Sequence, residues 1–136
     1  MDSFYIVVDG SNVALSRRTL KKKAKIYNLE LIIEYLKKLA TTISINWVIV
    51  IDASLRHRID NKTKLEQLIK TGVIAQCPKN NKADDYIIEF FKRHPENTVI
   101  ISNDCFEEYN VSNLRIHRFV IMFDEVLLNP ITIEIN

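Results

Sequence analysis

Short apolar runs alternate with amphipathic stretches along most of the chain. Phe4–Val8 is rich in aromatic and β-branched residues and closes on Asp9-Gly10, the profile of a buried strand ended by a turn. Leu29, Ile32, Ile33, Leu36 and Leu39 recur at helical spacing with Glu34, Lys37 and Lys38 opposite, which predicts a helix over Leu29–Leu39 with Asn28 as its N-cap. Trp47–Ile51 reads as a second strand, ending on Asp52. Thr63–Lys70 reads as a helix with Leu65, Leu68 and Ile69 inward and Gly72 as its stop. Val73–Gln76 is a third strand, and the polar Pro78–Asn81 leads into a helix from Lys82 to Arg93, halted before Pro95. Val99–Ile101 is a fourth strand running into SNDCFEEY, a predicted short helix. Arg115–Met122 is a fifth strand. Ile131–Ile135 alternates apolar and polar positions as a late edge or hairpin strand would, while Asp124 and Glu125 in MFDEVLLNP are expected to cap a loop.

Near-continuous apolar strands alternating with helices predict an α/β fold of three layers, with a central parallel sheet covered on both faces and right-handed crossovers. Residues 1–136 are expected to form one domain, since no repeat, low-complexity tract or Pro/Gly linker divides them. In such sheets functional groups collect beyond the carboxyl ends of the strands. Asp9, Asp52 and the Ser102-Asn103-Asp104 segment all stand at those ends, and the Lys82–Asp85 segment opens a helix at the same edge.

Charge changes the picture more than overall composition does. The net charge is only +2, yet Arg17, Arg18, Lys21, Lys22, Lys23 and Lys25 place six positive charges in nine residues, with no acid between Asp9 and Glu30. The rest of the chain therefore carries −4, and a basic arm beside an acidic centre suits a protein that holds a polyanion and a metal ion. A solvated lysine-rich loop is the plainer alternative for the arm. Cys77 and Cys105 lack any zinc-ligand spacing, and a reduced pair is expected. No apolar run of spanning length and no signal segment is present, so the expected location is the cytoplasm, away from membranes.

The acids carry the candidate chemistry. Carboxylates brought within a few ångströms of one another are driven toward their neutral forms, and a hard cation such as Mg²⁺ relieves the conflict through oxygen ligation. Asp9 ends the first strand, where the plain alternative is a turn. Ser11 is expected to cap the next segment and Asn12 to hold a phosphate or water through its amide. Asp84 and Asp85 stand in the first turn of a helix, about 100° apart, so one could ligate directly and the other through water. Asp104 and Glu108 are spaced i, i+4, which would put both on one helical face, with Ser102 and Asn103 orienting Asp104. Glu107 is read as solvated. Asp52 either joins the site or pairs with Arg56 or Arg58, and Arg56, His57 and Arg58 form a second basic patch. Cys105, Phe90, Phe91 and Phe106 are read as packing residues.

VVDGSNVA, DASLR, KADDYI, IISNDCFEEY and RFVIMFDEVLLNP, in this order, resemble the NYN branch of the PIN-like nucleases, and within it the Zc3h12a-type (Regnase-like) ribonuclease domain. The resemblance implies strand order 3-2-1-4-5 and Mg²⁺- or Mn²⁺-dependent endonucleolytic cleavage of single-stranded RNA. It puts Asp9, Asp84, Asp85 and Asp104 on metal-site positions, Asn12 on an active-site asparagine and Arg56 on an RNA-contact position. Glu108 stands where the family usually has aspartate, and the CCCH zinc finger of some relatives is absent. Ser11, Arg17, Arg18, Lys21, Lys22, Lys23, Arg56, Lys82, Ser102 and Asn103 are the substrate-contact candidates. Self-association into a homodimer is left open. Two other functions compete: an RNA-binding adaptor without cleavage, and a phospho-acceptor receiver domain. The second is disfavoured because the fifth strand carries Arg118 but no lysine.

Overall fold

The computed structural model describes residues 3–16 and 23–134. Arg17, Arg18, Lys21, Lys22 and Ile135 lie outside the described residues. Strands β1 (Tyr5–Asp9), β2 (Asn46–Ile51), β3 (Ile74–Gln76), β4 (Thr98–Ile101), β5 (Ile116–Met122) and β6 (Glu125–Asn129) form one sheet of order β3-β2-β1-β4-β5-β6. The first five pair in parallel and β6 pairs antiparallel to β5. The expected order of five strands holds, with a sixth added at the edge.

Alternation within the buried strands sorts side chains to two cores. Ile6, Val8, Ile49, Ile51, Val99 and Ile101 point to one face, with the buried side of helix α2 (Ile26–Thr42), Val13 of helix α1 (Gly10–Ala14) and Leu65 of helix α3 (Lys62–Lys70). Val7, Val50 and Ile100 point to the other, against Ala83, Ile87, Ile88 and Phe91 of helix α4 (Ala83–Arg93). A strand buried on both sides has no polar face to show, which is why these runs read as continuously apolar. Among the described residues, no helix is long and apolar enough to cross a membrane.

Three expectations are corrected. Among the described residues the last strand is β6 at Glu125–Asn129, and residues 131–134 of the expected strand at Ile131–Ile135 form none; Phe123-Asp124 is the turn before β6. Both turn residues take positive φ, 48° and 61°, the backbone that a tight antiparallel hairpin requires; without an Asn-Gly pair the turn carried no sequence signal. Val126 and Leu128 face inward, and of residues 131–134 only Ile133 is buried.

Asn28 is not a cap. Helix α2 starts two residues earlier, and the Ile26 N–H donates to Asp60 Oδ1 at 2.9 Å. Asn28 is buried and donates to the carbonyls of Val13, Ala14 and Ser16 at 3.2, 3.4 and 2.6 Å, so it satisfies the open end of α1. The SNDCFEEY segment is not a helix. It forms only a 3-10 turn at Glu107–Tyr109, entered through Phe106 in the left-handed region at φ 56°.

Gly10 lies where α1 crosses β2. A Cβ there would meet Ile49 Cγ2 at 2.6 Å, Ile51 Cγ2 at 2.7 Å and the Val50 carbonyl at 3.0 Å. Gly10→Ala should therefore destabilise the fold by about 1–3 kcal/mol, the usual cost of overpacking. Urea unfolding checks this, and an unchanged midpoint would show that α1 can lift without cost.

Candidate active site

Asp9 is the last residue of the central strand β1 and the N-cap of α1, and it is 4% exposed. Its Oδ1 accepts the Asn12 N–H at 3.2 Å and its Oδ2 accepts the Ser102 hydroxyl at 3.0 Å. Asp9, rather than Ser11, thus caps α1, while Ser11 Oγ accepts the Asp52 N–H at 3.0 Å. The fully buried Ser102 hydroxyl also accepts the Asp104 N–H at 3.0 Å, so one side chain orients two carboxylates. Asn103 closes the arrangement. Its N–H donates to Asn12 Oδ1 at 2.9 Å, its amide pairs with the Phe119 main chain at 3.1 and 2.9 Å, and Arg118 donates to its carbonyl at 3.2 Å. Asp104 Oδ1 in turn accepts the Phe106 N–H at 2.9 Å, which ties the carboxylate to its own loop.

Asp84 enters from the first turn of α4. Oxygens of Asp84, Asp104 and Glu108 lie within 4.8 Å of one another. The meeting of Asp104 with Glu108 was expected from helical spacing, but the left-handed Phe106 and the 3-10 turn after it bring them together instead. Asp85 is exposed and accepts the Tyr109 hydroxyl at 2.6 Å. Burial and the Asp85 carboxylate both raise the pKa of that phenol.

The electrostatics record the crowding. Burial, then the charge of Asp84, raises the Asp9 carboxyl to about 7 even though Asn12 and Ser102 hydrogen-bond its charged form. Burial, then Asp104, Asp52 and Glu108, raises Asp84 to about 6 against the opposing Lys82. Oxygen donors alone, close together and repelling, fit a hard divalent cation.

Beside the acids runs an open cleft of about 960 Å³, lined in part by Asp52, Arg56, His57, Lys79, Lys82 and Asp84. Lys82 lines it and is exposed; Lys23 is also exposed and precedes Ala24, which bridges to Ile59 in the segment after Arg56–Arg58. Arg56 pairs with Glu66 on the surface, a contact that adds little stability and leaves the guanidinium exchangeable. Cys77 also lines the cleft, but burial pushes its thiol up to about 11, so it is no nucleophile. Sequence reasoning missed Tyr109 as a partner of Asp85, for which no local signal existed. It left Asp52 either joining the site or pairing with Arg56 or Arg58; Arg56 pairs instead with Glu66, and the Asp52 carboxylate accepts the Ala83 N–H.

Residues 3–128 match the Zc3h12a-like ribonuclease NYN domain. The chain belongs to this family. The match spans every carboxylate named above, from Asp9 to Glu108. No curated protein matches the NYN domain in sequence. Two structures of nuclear proteinaceous RNase P 2 from Arabidopsis thaliana are similar to it, with TM-scores of 0.71 and 0.69, each at 16% identity over 93% of this chain. The chain spans only 29% and 30% of the length of those two, and at that identity the likeness speaks for the fold.

The raised carboxyl values set the pH dependence of this NYN domain. Asp9 and Asp84 keep protons in the folded state that the unfolded chain releases near pH 4. Folding without metal should therefore lose stability as pH rises from about 4 to about 7. Thermal melts of wild type and Asp84→Asn check this: the loss should be smaller in the variant, and Mn²⁺ should raise the wild-type Tm more at pH 7.5 than at pH 5. A cation-independent Tm at pH 7.5 would contradict the account.

Proposed function

We propose that this NYN domain is a divalent-cation-dependent endoribonuclease that cleaves single-stranded RNA by attack of water on a phosphodiester. One observation carries the reading: carboxylate oxygens from two separate places in the chain, Asp84 on α4 and Asp104 and Glu108 in the segment after β4, converge within 4.8 Å, near the buried Asp9. Gathering acids in this way costs repulsion, which a bound cation would offset.

In this reading Asp84, Asp104 and Glu108 hold Mg²⁺ or Mn²⁺, and Asp9 and Asp85 complete its surroundings. Such a cation, when bound, supplies an activated water and offsets charge on the phosphate. The chain's own residues do the rest. Ser102 and the Asn12 N–H keep Asp9 oriented, and the Ser102 hydroxyl keeps Asp104 aligned with it. Asn12 Oδ1 holds the Asn103 main chain, so the loop that carries Asp104 cannot swing away from β1. The cationic cleft of Arg56, His57, Lys79 and Lys82, with the basic stretch at 17–25, draws the sugar–phosphate strand toward the acids.

Asp104→Asn keeps an acceptor for the Phe106 N–H and so spares the loop, but removes a charge from the cluster. Its kcat on labelled single-stranded RNA should fall at least about 100-fold, some 2.7 kcal/mol of lost transition-state stabilisation. RNA affinity should be unchanged or tighter, since a repulsive charge is gone. Wild-type degradation should stop in EDTA. Cleavage that persists in EDTA, or a variant within tenfold of wild type, would overturn the reading.

A further inference from the structure

Asp52 directly follows β2 at the same sheet edge as Asp9, yet it is not among the carboxylates that converge at Asp84, Asp104 and Glu108. Helix α4 begins at Ala83, and its N-cap, Lys82, contributes no side-chain hydrogen bond. The Ala83 N–H donates instead to Asp52 Oδ1 at 2.6 Å, across 31 positions of chain. Ala83 is 1% exposed, so water cannot readily replace that acceptor, and an unmet buried donor is costly. An anion at this place also complements the positive end of the helix.

Asp52 is itself held firmly. Its N–H donates to Ser11 Oγ at 3.0 Å, its carbonyl accepts the Leu55 N–H at 3.1 Å, and the preceding Ile51 carbonyl accepts the Cys77 N–H at 2.9 Å. Ser11 is buried on α1, whose cap is Asp9. A continuous set of contacts therefore runs from the helix capped by Asp9, through Ser11 and Asp52, to the residue before Asp84. The Asp52 charge meanwhile faces Asp9 and Asp84 and adds to their repulsion. Its acceptor geometry serves the site, while its charge adds to the crowding of the carboxylates.

We propose that Asp52 is a positioning residue that fixes the first turn of α4 and so sets how Asp84 is presented to the cation. The inference rests on the reading of Asp84, Asp104 and Glu108 as a cation site and adds to it the part that aligns the helix.

The test is Mn²⁺ binding to the full chain by calorimetry, paired with hydrogen exchange at the Ala83 amide. Asp52→Ala removes the acceptor and should weaken Mn²⁺ binding on the order of 10–100-fold, as loss of an outer partner of a ligand does, with loss of Ala83 protection. Asp52→Asn keeps an acceptor oxygen and should stay within about threefold of wild type, with the amide protected. Should the alanine variant not fold, Asp52→Glu keeps the charge but displaces it, and the alanine result is expected. Wild-type affinity in the alanine or glutamate variant would overturn the inference, as would a loss in asparagine equal to that in alanine, which would assign the effect to charge. If wild type binds no Mn²⁺, the cation reading itself fails. The Ala83 amide then decides the capping role, which stands if protection is lost in glutamate and kept in asparagine, and falls if both keep it.

Discussion

The structure turns on a buried carboxylate at the end of its central strand. Asp9 is covered on one side by α1, which it caps, and on the other by Ser102 at the end of β4. Its neighbours Asp84 and Asp104 come from α4 and from the loop after β4, and the fold must hold all three against their mutual repulsion. Two latches do so. Ser102, Asn103 and Asn12 join Asp9 to the loop of Asp104, and Ser11 and Asp52 join α1 to the start of α4. Both latches are built from side chains accepting or donating main-chain hydrogen bonds, so they fix backbone positions as well as rotamers. Two apolar cores keep the sheet edge rigid enough for the latches to act.

Much of this was legible in the sequence, because each element carries one strong physical signal. Strands β1 and β4 and the second half of β2 are apolar runs buried on both faces, β5 buries alternate positions, and α3 and α4 show clear amphipathic spacing with a Gly72 stop and a Pro95 break. Strand ends in such a sheet share one edge, so the gathering of Asp9, Asp84 and Asp104 followed from topology. What was not legible depends on backbone conformations that ordinary residues rarely take. Phe106, Phe123 and Asp124 all have positive φ without being glycine, and the three together decide the Asp104–Glu108 approach and the β5–β6 hairpin. Asn28 looked like a helix cap because asparagine prefers that place, but three carbonyls at the end of α1 compete for its amide and win. The link from Asp52 to Ala83 spans 31 positions and leaves no local trace.

The charge distribution matches the division of labour. The acids occupy a small area at the carboxyl ends of β1 and β4, whereas Arg56, His57, Lys79 and Lys82 line the adjoining cleft. A strand of nucleic acid presents phosphates at regular intervals, so one phosphate can lie over the acids while its neighbours are neutralised by the cleft. The small net charge of +2 hides this arrangement. On the proposed reading, the separation of the two signs along the fold would let a chain of near-balanced composition hold both a cation and a polyanion.

The central claim is that the convergence of carboxylates is a cation site. Anomalous diffraction from crystals soaked in Mn²⁺ addresses it most directly. The account predicts a peak at about 2.0–2.3 Å from oxygens of Asp84, Asp104 and Glu108, as expected for oxygen ligation of a small divalent ion. A peak elsewhere, or none at saturating Mn²⁺ and pH 7.5, would contradict it.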